Sequence, residues 1–358
     1  MGRMCMRKCV SFGRLALGLL LLSCVNLPSV AQEFVKEHAA RKLLRLPTNE
    51  RGDFVAITDI AFSPDGESMA IGASDGAVRM LRIAEGERPQ IVIQGENPVR
   101  KVAFSPDGNL LASAALLQAN LTVVGQVGEE RKIDQPPLLK SSECIAFSPD
   151  GRLLAVGSSS GDATLIDLTR GERRFSIAPF AGTGPVDRGL YDPQTVSMDF
   201  SPDGNLIAVT TDFFDDELPS FQNVQVWDTK TGKLRFFFRG VSCEFSPSGG
   251  LLAYQSQIYD GDGRIVLLDI DTFLPAAVLT GQFQDAGFAP DSHSMAAISH
   301  QQLEIWTVPS RDDRTRKCDR KIVLQHATNV TSFAFAPDGR SLVTGDAKGT
   351  IRLWSLAK

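Results

Sequence analysis

The stretch Phe62-Ser63-Pro64-Asp65-Gly66 decides the fold, because it or a near copy returns seven times along the chain. The copies follow one another at intervals of 42 to 53 residues and start at Phe62, Phe104, Phe147, Phe200, Phe245, Phe288 and Phe335. Such periods are typical of propeller blades, whereas helical solenoids repeat about every 33 or 34 residues. The sequence therefore predicts an array of similar β units.

Each copy of the motif has the residue types of a tight turn. Serine suits the first position of a type I turn, proline presets the backbone angle φ at the second, and Asp and Gly follow. Strand-like sequence such as Asp59-Ile60-Ala61-Phe62 precedes the turn, and a Leu-Ala-rich segment such as Leu110-Leu111-Ala112-Ser113 follows it. Short apolar and alternating runs of this kind predict strands. We expect the motif to close a hairpin in every repeat.

A third strand follows in most repeats, as in Asn223–Asp228 and Thr350–Trp354. All three tryptophans of the chain occupy the same place in this strand, where a wide ring can fill the gap between neighbouring blades. A fourth apolar segment, such as Gln90–Ile93, completes the unit. The repeat is thus a four-stranded blade.

These residues give the chain a resemblance to the WD-repeat family. Val226-Trp227-Asp228 contains the dipeptide that names the family, and Asp75-Gly76 looks like its turn before the third strand. The resemblance implies an all-β fold, a single seven-bladed β-propeller of four-stranded antiparallel blades over residues 42–358. Blade seven lacks an outer strand of its own, and Lys42–Leu46 can supply that strand and so close the ring.

The family's buried hydrogen-bonding tetrad is only partly kept in the last repeat. His326 and Trp354 match two of its members, but Lys348 stands where the family has an aspartate. We therefore expect an incomplete tetrad.

The first 31 residues have the order of a secretory signal. Four basic residues precede or open an uncharged apolar run that extends from Leu15 to Val25, and Ser29-Val30-Ala31 offers a cleavage site before Gln32. The run is too short for a membrane-spanning helix, which needs about 20 residues. We expect an exported protein with a signal peptide over 1–31, a linker over 32–41 and no transmembrane segment.

An alternative N-terminal processing is open at Cys24. Leu21-Leu22-Ser23-Cys24 resembles the bacterial lipobox, in which the cysteine carries a lipid anchor. The mature protein is then an envelope-anchored lipoprotein instead of a periplasmic or secreted one. Export and Pro-Asp-Gly-rich repeats together suggest a bacterial source.

The charge balance argues against a nucleic-acid partner. Removal of residues 1–31 takes away four basic residues and no acidic one, which leaves 33 Lys and Arg against 42 Asp and Glu, a formal charge of −9. An acidic surface repels the phosphate backbone. Three of the six cysteines remain, at positions without CxxC spacing, so we expect neither a zinc site nor a disulfide framework.

No catalytic motif of known mechanics fits the sequence. The four histidines have no Cys, His or carboxylate neighbour at metal-ligand spacing, and no Gly-rich loop of phosphate-binding type is present. Gly157–Gly161 matches GxSxG formally, but it falls between two predicted strands where a nucleophile elbow needs a strand followed by a helix. We expect no cofactor and no catalytic residue.

Two long insertions mark the best candidate for a binding surface. One runs from Pro179 to Gln194 between blades three and four, and the other from Thr211 to Gln222 inside blade four. With the blade-five loop they give an acidic rim interleaved with aromatics, made of Asp212, Phe213, Phe214, Asp215, Asp216, Glu217, Tyr259, Asp260 and Asp262. Large apolar side chains in a charged loop are unusual unless they fold inward or meet a partner.

The interpretation that follows is a non-catalytic, monomeric scaffold that presents the loops of blades three to five to a protein partner. The alternative is a propeller hydrolase, lyase or lactonase-like enzyme that uses carboxylates of the central channel with or without calcium. A third interpretation is that the rim consists of polar loops of variable length that only contact water.

Overall fold

The structure is a computed structural model that describes residues 40–49, 51–84, 88–115, 118–123, 142–178, 192–214, 221–256, 263–310 and 317–356. Strands are the only regular elements in these ranges, so the all-β prediction is confirmed. No helix long and apolar enough to cross a membrane occurs in the described part of the chain.

The strands form seven antiparallel sheets, which we number 1 to 7 by the order of their motif copies. Before sheet 1 comes β1 (Ala40–Arg45). Sheet 1 contains β2 (Ile57–Phe62), β3 (Ser68–Ala73), β4 (Ala77–Arg82) and β5 (Gln90–Gln94). Sheet 2 contains β6 (Val99–Phe104), β7 (Leu110–Ala115) and β8 (Gln118–Val123). Sheet 3 contains β9 (Ser142–Phe147), β10 (Leu153–Ser158), β11 (Ala163–Asp167) and β12 (Glu172–Ile177).

The second half of the chain continues the same order. Sheet 4 contains β13 (Asp192–Phe200), β14 (Leu206–Phe214), β15 (Phe221–Asp228) and β16 (Leu234–Arg239). Sheet 5 contains β17 (Val241–Phe245), β18 (Leu251–Ser256), β19 (Arg264–Asp269) and β20 (Pro275–Thr280). Sheet 6 contains β21 (Asp285–Phe288), β22 (Ser294–Ser299), β23 (Gln302–Thr307) and β24 (Arg320–Gln325). Sheet 7 contains β25 (Val330–Phe335), β26 (Ser341–Asp346) and β27 (Thr350–Ser355), with β1 at its outer edge.

The repeated motif builds the hairpin between the first and second strands of each sheet. In sheet 1 the Ser63 hydroxyl donates to Asp65 Oδ1 at 2.5 Å and accepts from the Ser68 amide at 2.9 Å, and Gly66 takes a φ of +72°. Sheets 2, 3 and 4 repeat these serine, aspartate and glycine roles. Glycine is needed at the last position because other residues rarely adopt a positive φ.

The motif turns also touch one another around the ring. A Cβ atom added to Gly108 would lie 3.5 Å from Pro64 of the preceding turn. Cβ atoms added to Gly151 and Gly204 would lie similarly close to Pro106 and Pro149 of the turns before them. A Cβ atom added to Gly66 would lie 3.5 Å from Pro337 of sheet 7, so the last motif turn lies next to the first. One pentapeptide therefore closes a hairpin and contacts the next sheet.

The prediction that the N-terminal strand completes the last sheet is confirmed. Strand β1 pairs with β27 in antiparallel register from Ala40 opposite Trp354 to Arg45 opposite Thr350, with a bulge between Lys42 and Leu44. The strand lies two residues earlier at its start than the predicted 42–46. Leu46 follows the strand, and its amide donates to the Gly349 carbonyl at 2.9 Å while its side chain is buried.

The core consists of apolar side chains packed between neighbouring sheets. One cluster joins sheets 3 and 4 through residues such as Leu165 and Ile207, both fully buried. Another joins sheets 7 and 1 through Ile351 and Ile71, with Leu46 at its margin. Sheets stacked in this way form a β-propeller, as the repeat predicts.

Candidate functional site

The predicted rim begins in a strand rather than in a loop. Phe213 is fully buried and Asp212 is 6% exposed, because β14 continues to Phe214 and pairs with both β13 and β15. The expectation that Phe213 lies in an exposed loop is wrong, because β14 is buried without interruption from Ile207 to Phe213. Phe214 is the last residue of the strand, and only its place in the backbone is described.

The remaining rim residues lie outside the described part of the chain. These are Asp215, Asp216, Glu217, Tyr259, Asp260 and Asp262. The same holds for Cys24, Ala31 and Gln32 at the N-terminus. Their predicted roles stay predictions.

Sheet 4 projects beyond the other sheets on the side that carries these loops. Strands β13 and β14 have nine residues each and β15 has eight, whereas the other strands in the described ranges have six residues or fewer. Three extra residues at about 3.3 Å per residue correspond to a projection of roughly 10 Å. The acidic segment after Phe214 therefore starts from a paired, three-stranded platform.

A buried polar pair stabilises this platform. The Gln222 side-chain amide donates to Asp212 Oδ2 at 2.7 Å across the two paired strands. Burial raises the pKa of Asp212, and the hydrogen bond from Gln222 opposes that rise. Buried carboxyl groups need such partners, so the pair fixes the geometry of the strand ends.

The second candidate site is the cavity at the centre of the ring. It has a volume of about 760 Å³ and is lined by the first strand of each of the seven sheets. Charged residues on its wall include Asp59, Lys101, Asp199, Glu244 and Asp285. The sequence reasoning that considered channel carboxylates did not name these residues.

Three of the channel carboxylates bind the backbone of the following sheet. Asp59 Oδ2 accepts from the Val102 amide at 2.8 Å, Asp199 Oδ2 from the Phe245 amide at 2.7 Å, and Glu244 Oε1 from the Phe288 amide at 3.1 Å. Each bond joins the first strands of two neighbouring sheets. These acids therefore hold the ring together on its inner side.

Lys101 faces the acids from sheet 2. Its Nζ lies 3.3 Å from Asp59 Oδ1, and half of its side-chain surface is open to the channel. The Asp59 carboxylate raises the pKa of Lys101 above its ordinary value, with further contributions from Asp285 and Glu244. Lys101 is thus a permanent cation within a group of carboxyl groups.

Burial raises the pKa of three of these acids, Asp199, Glu244 and Asp285, and so makes them harder to ionise. It raises the pKa of Asp199 to about 7, although hydrogen bonds from the Phe245 and Phe200 amides act in the other direction. Burial and the nearby Asp199 raise the pKa of Glu244 as well. A carboxyl group that titrates near neutral pH can transfer protons, which is a property that acid-base catalysts share with purely structural buried acids.

The two channel thiols are not set up as nucleophiles. Burial raises the pKa of Cys243 to about 12 and raises that of Cys144 further. The thiolate is the reactive form of cysteine, so these side chains act as packing groups. Within the described ranges, no group of three or more His, Cys, Asp and Glu side chains is arranged to hold a metal ion.

Alignment of the seven motif copies would have found the channel residues. Asp59, Lys101 and Asp285 each stand three positions before the motif phenylalanine, and Asp199 and Glu244 stand one position before it. Side chains two residues apart on a strand share a face. Charged residues one and three positions before the motif phenylalanine could therefore have predicted a charged channel wall.

The last repeat contains a hydrogen-bond network around His326 and Trp354. Trp354 Nε1 donates to Thr344 Oγ1 at 2.8 Å, and the His326 ring lies beside the Trp354 ring. Arg352 bridges His326 Nδ1 at 3.2 Å and Asp346 Oδ2 at 2.9 Å. Burial and the Arg352 charge lower the pKa of His326 to about 4, so the imidazole is neutral at pH 7.

The comparison with protein families agrees with this architecture. The model described as "WD domain, G-beta repeat" matches residues 46–80, 87–116, 141–167 and 317–355. These stretches coincide with parts of sheets 1, 2, 3 and 7 and with strands next to them. The chain therefore contains WD repeats in four places, within sheets that form a β-propeller.

Among curated proteins the chain is similar to Striatin-3. The human and the bovine (Bos taurus) proteins are each 32% identical to it over 101 residues, which is 26% of this chain. The matched stretch covers 12% of the length of these relatives. The similarity therefore concerns a few repeats.

Proposed function

We propose that the protein is a non-catalytic, exported scaffold that binds a protein partner through the loops of blades three to five on one face of a seven-bladed propeller. A WD-repeat propeller is consistent with protein binding. A rigid ring with variable loops suits this task, because the scaffold fixes loops that can differ freely in sequence.

The number of blades is supported by the channel and by the ring contacts. The first strands of seven sheets line one cavity, and the Pro337 turn touches Gly66 of the first motif copy. Six sheets have four strands and sheet 2 has three among the described residues.

The projecting platform of sheet 4 is the observation that carries the binding proposal. Paired strands that extend roughly 10 Å beyond their neighbours cost conformational entropy, and here they end at the acidic residues Asp215, Asp216 and Glu217. A loop that only contacts water needs no such support. The platform favours recognition of a partner with a basic surface.

The test compares two variants of equal charge. Asp215→Ser/Asp216→Ser removes two charges from the platform, and Glu67→Ser/Glu96→Ser removes two exposed charges elsewhere. We expect wild type and the control variant to capture the same partner from native extract at equal yield. The platform variant should capture at least about fivefold less of that partner. Surface substitutions change stability by less than about 0.5 kcal/mol, so both variants should melt like wild type. Equal capture by all three proteins would contradict the proposal.

Export is a separate part of the proposal. It rests on the N-terminal order of basic residues, apolar run and small residues before Gln32, with lipidation of Cys24 as the alternative. We further propose that the protein acts as a monomer. Fractionation of the producing cell and light scattering of the purified protein test these two statements.

A propeller enzyme that uses channel carboxylates is the second candidate function. It is favoured by Asp199, whose pKa of about 7 places a proton-transfer group on the channel wall beside Glu244. Titration calorimetry with CaCl₂ on wild type and on the Asp199→Asn variant tests the calcium form of this idea. Heat released by wild type and absent in the variant would support it, and no heat in either would count against it.

A further inference from the structure

A cavity on the face of the motif turns has a charge pattern that the acidic rim does not explain. It lies between sheets 3 and 4, has a volume of about 840 Å³, and is lined by both motif turns and by the outer hairpins of the two sheets. Five basic side chains reach it, namely Arg152, Arg170, Arg173, Arg174 and Lys230. We call it the basic groove.

The basic side chains of the groove are almost all unpaired. In the described part of the chain, the side chains of Arg170, Arg173, Arg174 and Lys230 form no ion pair with a carboxylate, and all four residues are exposed. Arg152 has one distant contact, 4.0 Å from its Nη2 to Asp167 Oδ2. The groove therefore offers several guanidinium groups that are free to bind an anion.

Three of the four acidic residues of the groove are already engaged in turns. Asp150 accepts from the Ser148 hydroxyl and the Arg152 amide, and Asp203 does the same with Ser201 and Asn205. Asp167 caps its own turn through Thr169. These hydrogen bonds lower the pKa of the three carboxyl groups and satisfy part of their acceptor capacity. Glu172 is the fourth acid of the lining.

A bulge in β12 brings two of the arginines together. Leu165 of β11 pairs with Phe175 and the next residue, Ile166, pairs with Arg173, so Arg174 is the extra residue. A bulge re-aims a side chain that regular alternation would send to the other face. As a result Arg173 and Arg174 both line the groove.

The size and the surroundings of the groove favour a short acidic peptide. A volume of about 840 Å³ falls within the usual range of pockets that enclose small ligands. The whole chain has a formal charge of −5, which repels a long polyanion, whereas a short segment experiences only charges within a Debye length of about 8 Å. Arginine pairs with carboxylates in a two-pronged geometry that gives both strength and orientation.

We propose that the basic groove between sheets 3 and 4 binds an acidic peptide segment of a partner protein. The groove lies on the face of the motif turns, away from the platform, so this proposal does not depend on the proposed function. A protein with both surfaces would join two partners of opposite charge.

The experiment measures binding of a fluorescein-labelled hexaglutamate peptide by fluorescence anisotropy at 50 mM and 300 mM NaCl. We expect saturable binding at low salt that weakens at high salt. The variant Arg173→Gln/Arg174→Gln should raise the Kd about tenfold, because charge-assisted bonds to two guanidinium groups are lost. The control Lys321→Gln/Arg340→Gln removes two exposed charges from sheets 6 and 7 and should leave the Kd within about twofold, as expected for residues that do not touch the peptide.

Three results would overturn the proposal. The first is a Kd that neither variant changes, and the second is an equal loss in both variants, which would mean that only net charge matters. The third is binding to phosphatidylglycerol vesicles that depends on Arg173 and Arg174 while the peptide does not bind, which would assign the groove to a lipid surface. Thermal melting of each variant confirms that it is folded, so a loss of binding reports on the groove.

Discussion

The joint between sheets 7 and 1 should be the most sensitive point of the ring. It depends on β1, which is distant in sequence from the rest of sheet 7 and, among the described strands, pairs with β27 alone. We consider two graded perturbations: the substitution Leu46→Ala and a truncated protein that starts at Arg51. The matched control is Leu274→Ala, because Leu274 is 62% exposed and Leu46 is 5% exposed.

The magnitude follows from the burial of Leu46. Leucine-to-alanine changes in a packed core cost about 2 to 5 kcal/mol, from lost transfer free energy and from the cavity that remains. Leu46 packs in the cluster that joins sheets 7 and 1, and its amide also binds the Gly349 carbonyl, a bond that alanine keeps. The substitution should therefore lower the Tm by roughly 5 to 10 °C, while the exposed control changes the free energy of unfolding by less than about 0.5 kcal/mol.

Truncation should do more than the point substitution. It removes the whole β1 ladder and leaves the backbone groups of β27 unpaired along an open edge, which favours pairing with other chains. We expect the truncated protein to elute as aggregate in size-exclusion chromatography and to lose its cooperative melting transition in calorimetry. A soluble truncated protein with the Tm of wild type, or a Leu46→Ala variant indistinguishable from Leu274→Ala, would refute the role of β1 and Leu46 in closure.

Three further predictions address other parts of the molecule. Burial raises the pKa of Asp199 to about 7, so the native state loses stability as pH rises from 4 to 7. In urea unfolding, the Asp199→Asn variant should have the same free energy of unfolding as wild type near pH 4 and a value up to about 4 kcal/mol higher at pH 8. A difference that does not change with pH would contradict this prediction. Gly349→Ala should destabilise the protein more than Gly339→Ala, because both positions have positive φ but a Cβ overlaps neighbouring atoms only at Gly349; equal melting of the two would refute that reasoning. Intact-mass measurement should find a mature chain that starts at Gln32, and a diacylated chain from Cys24 would instead support the lipoprotein alternative.

Most of the fold could be predicted because its signals are local and repeated. A type I turn motif carries its own hydrogen bonds, as between Ser63 and Asp65, and seven copies fix where the hairpins lie. Even the non-local pairing of β1 followed from counting strands, although the bulge at Leu43 moved the strand bounds. Local chemistry thus determines the blades, and the need to pair a last edge determines the closure.

The predicted site failed where strand ends had to be placed. Charged and aromatic residues after Thr211 resemble a loop, yet strand pairing continues to Phe214, and within it Gln222 donates to Asp212. That partner lies ten residues away on the neighbouring strand, so no local pattern announces it. A buried polar residue in a strand is recognisable only when the register is known.

The role of the channel acids could not be predicted from the sequence either. Asp59, Asp199 and Glu244 come from three repeats, and each looks like an ordinary polar residue before a phenylalanine. Their common role appears only in the ring, where each accepts the backbone amide of the next first strand. A carboxylate that is part of an inter-sheet bond cannot move far without opening that joint. These three acids are therefore structural parts of the ring, whatever else the channel wall does.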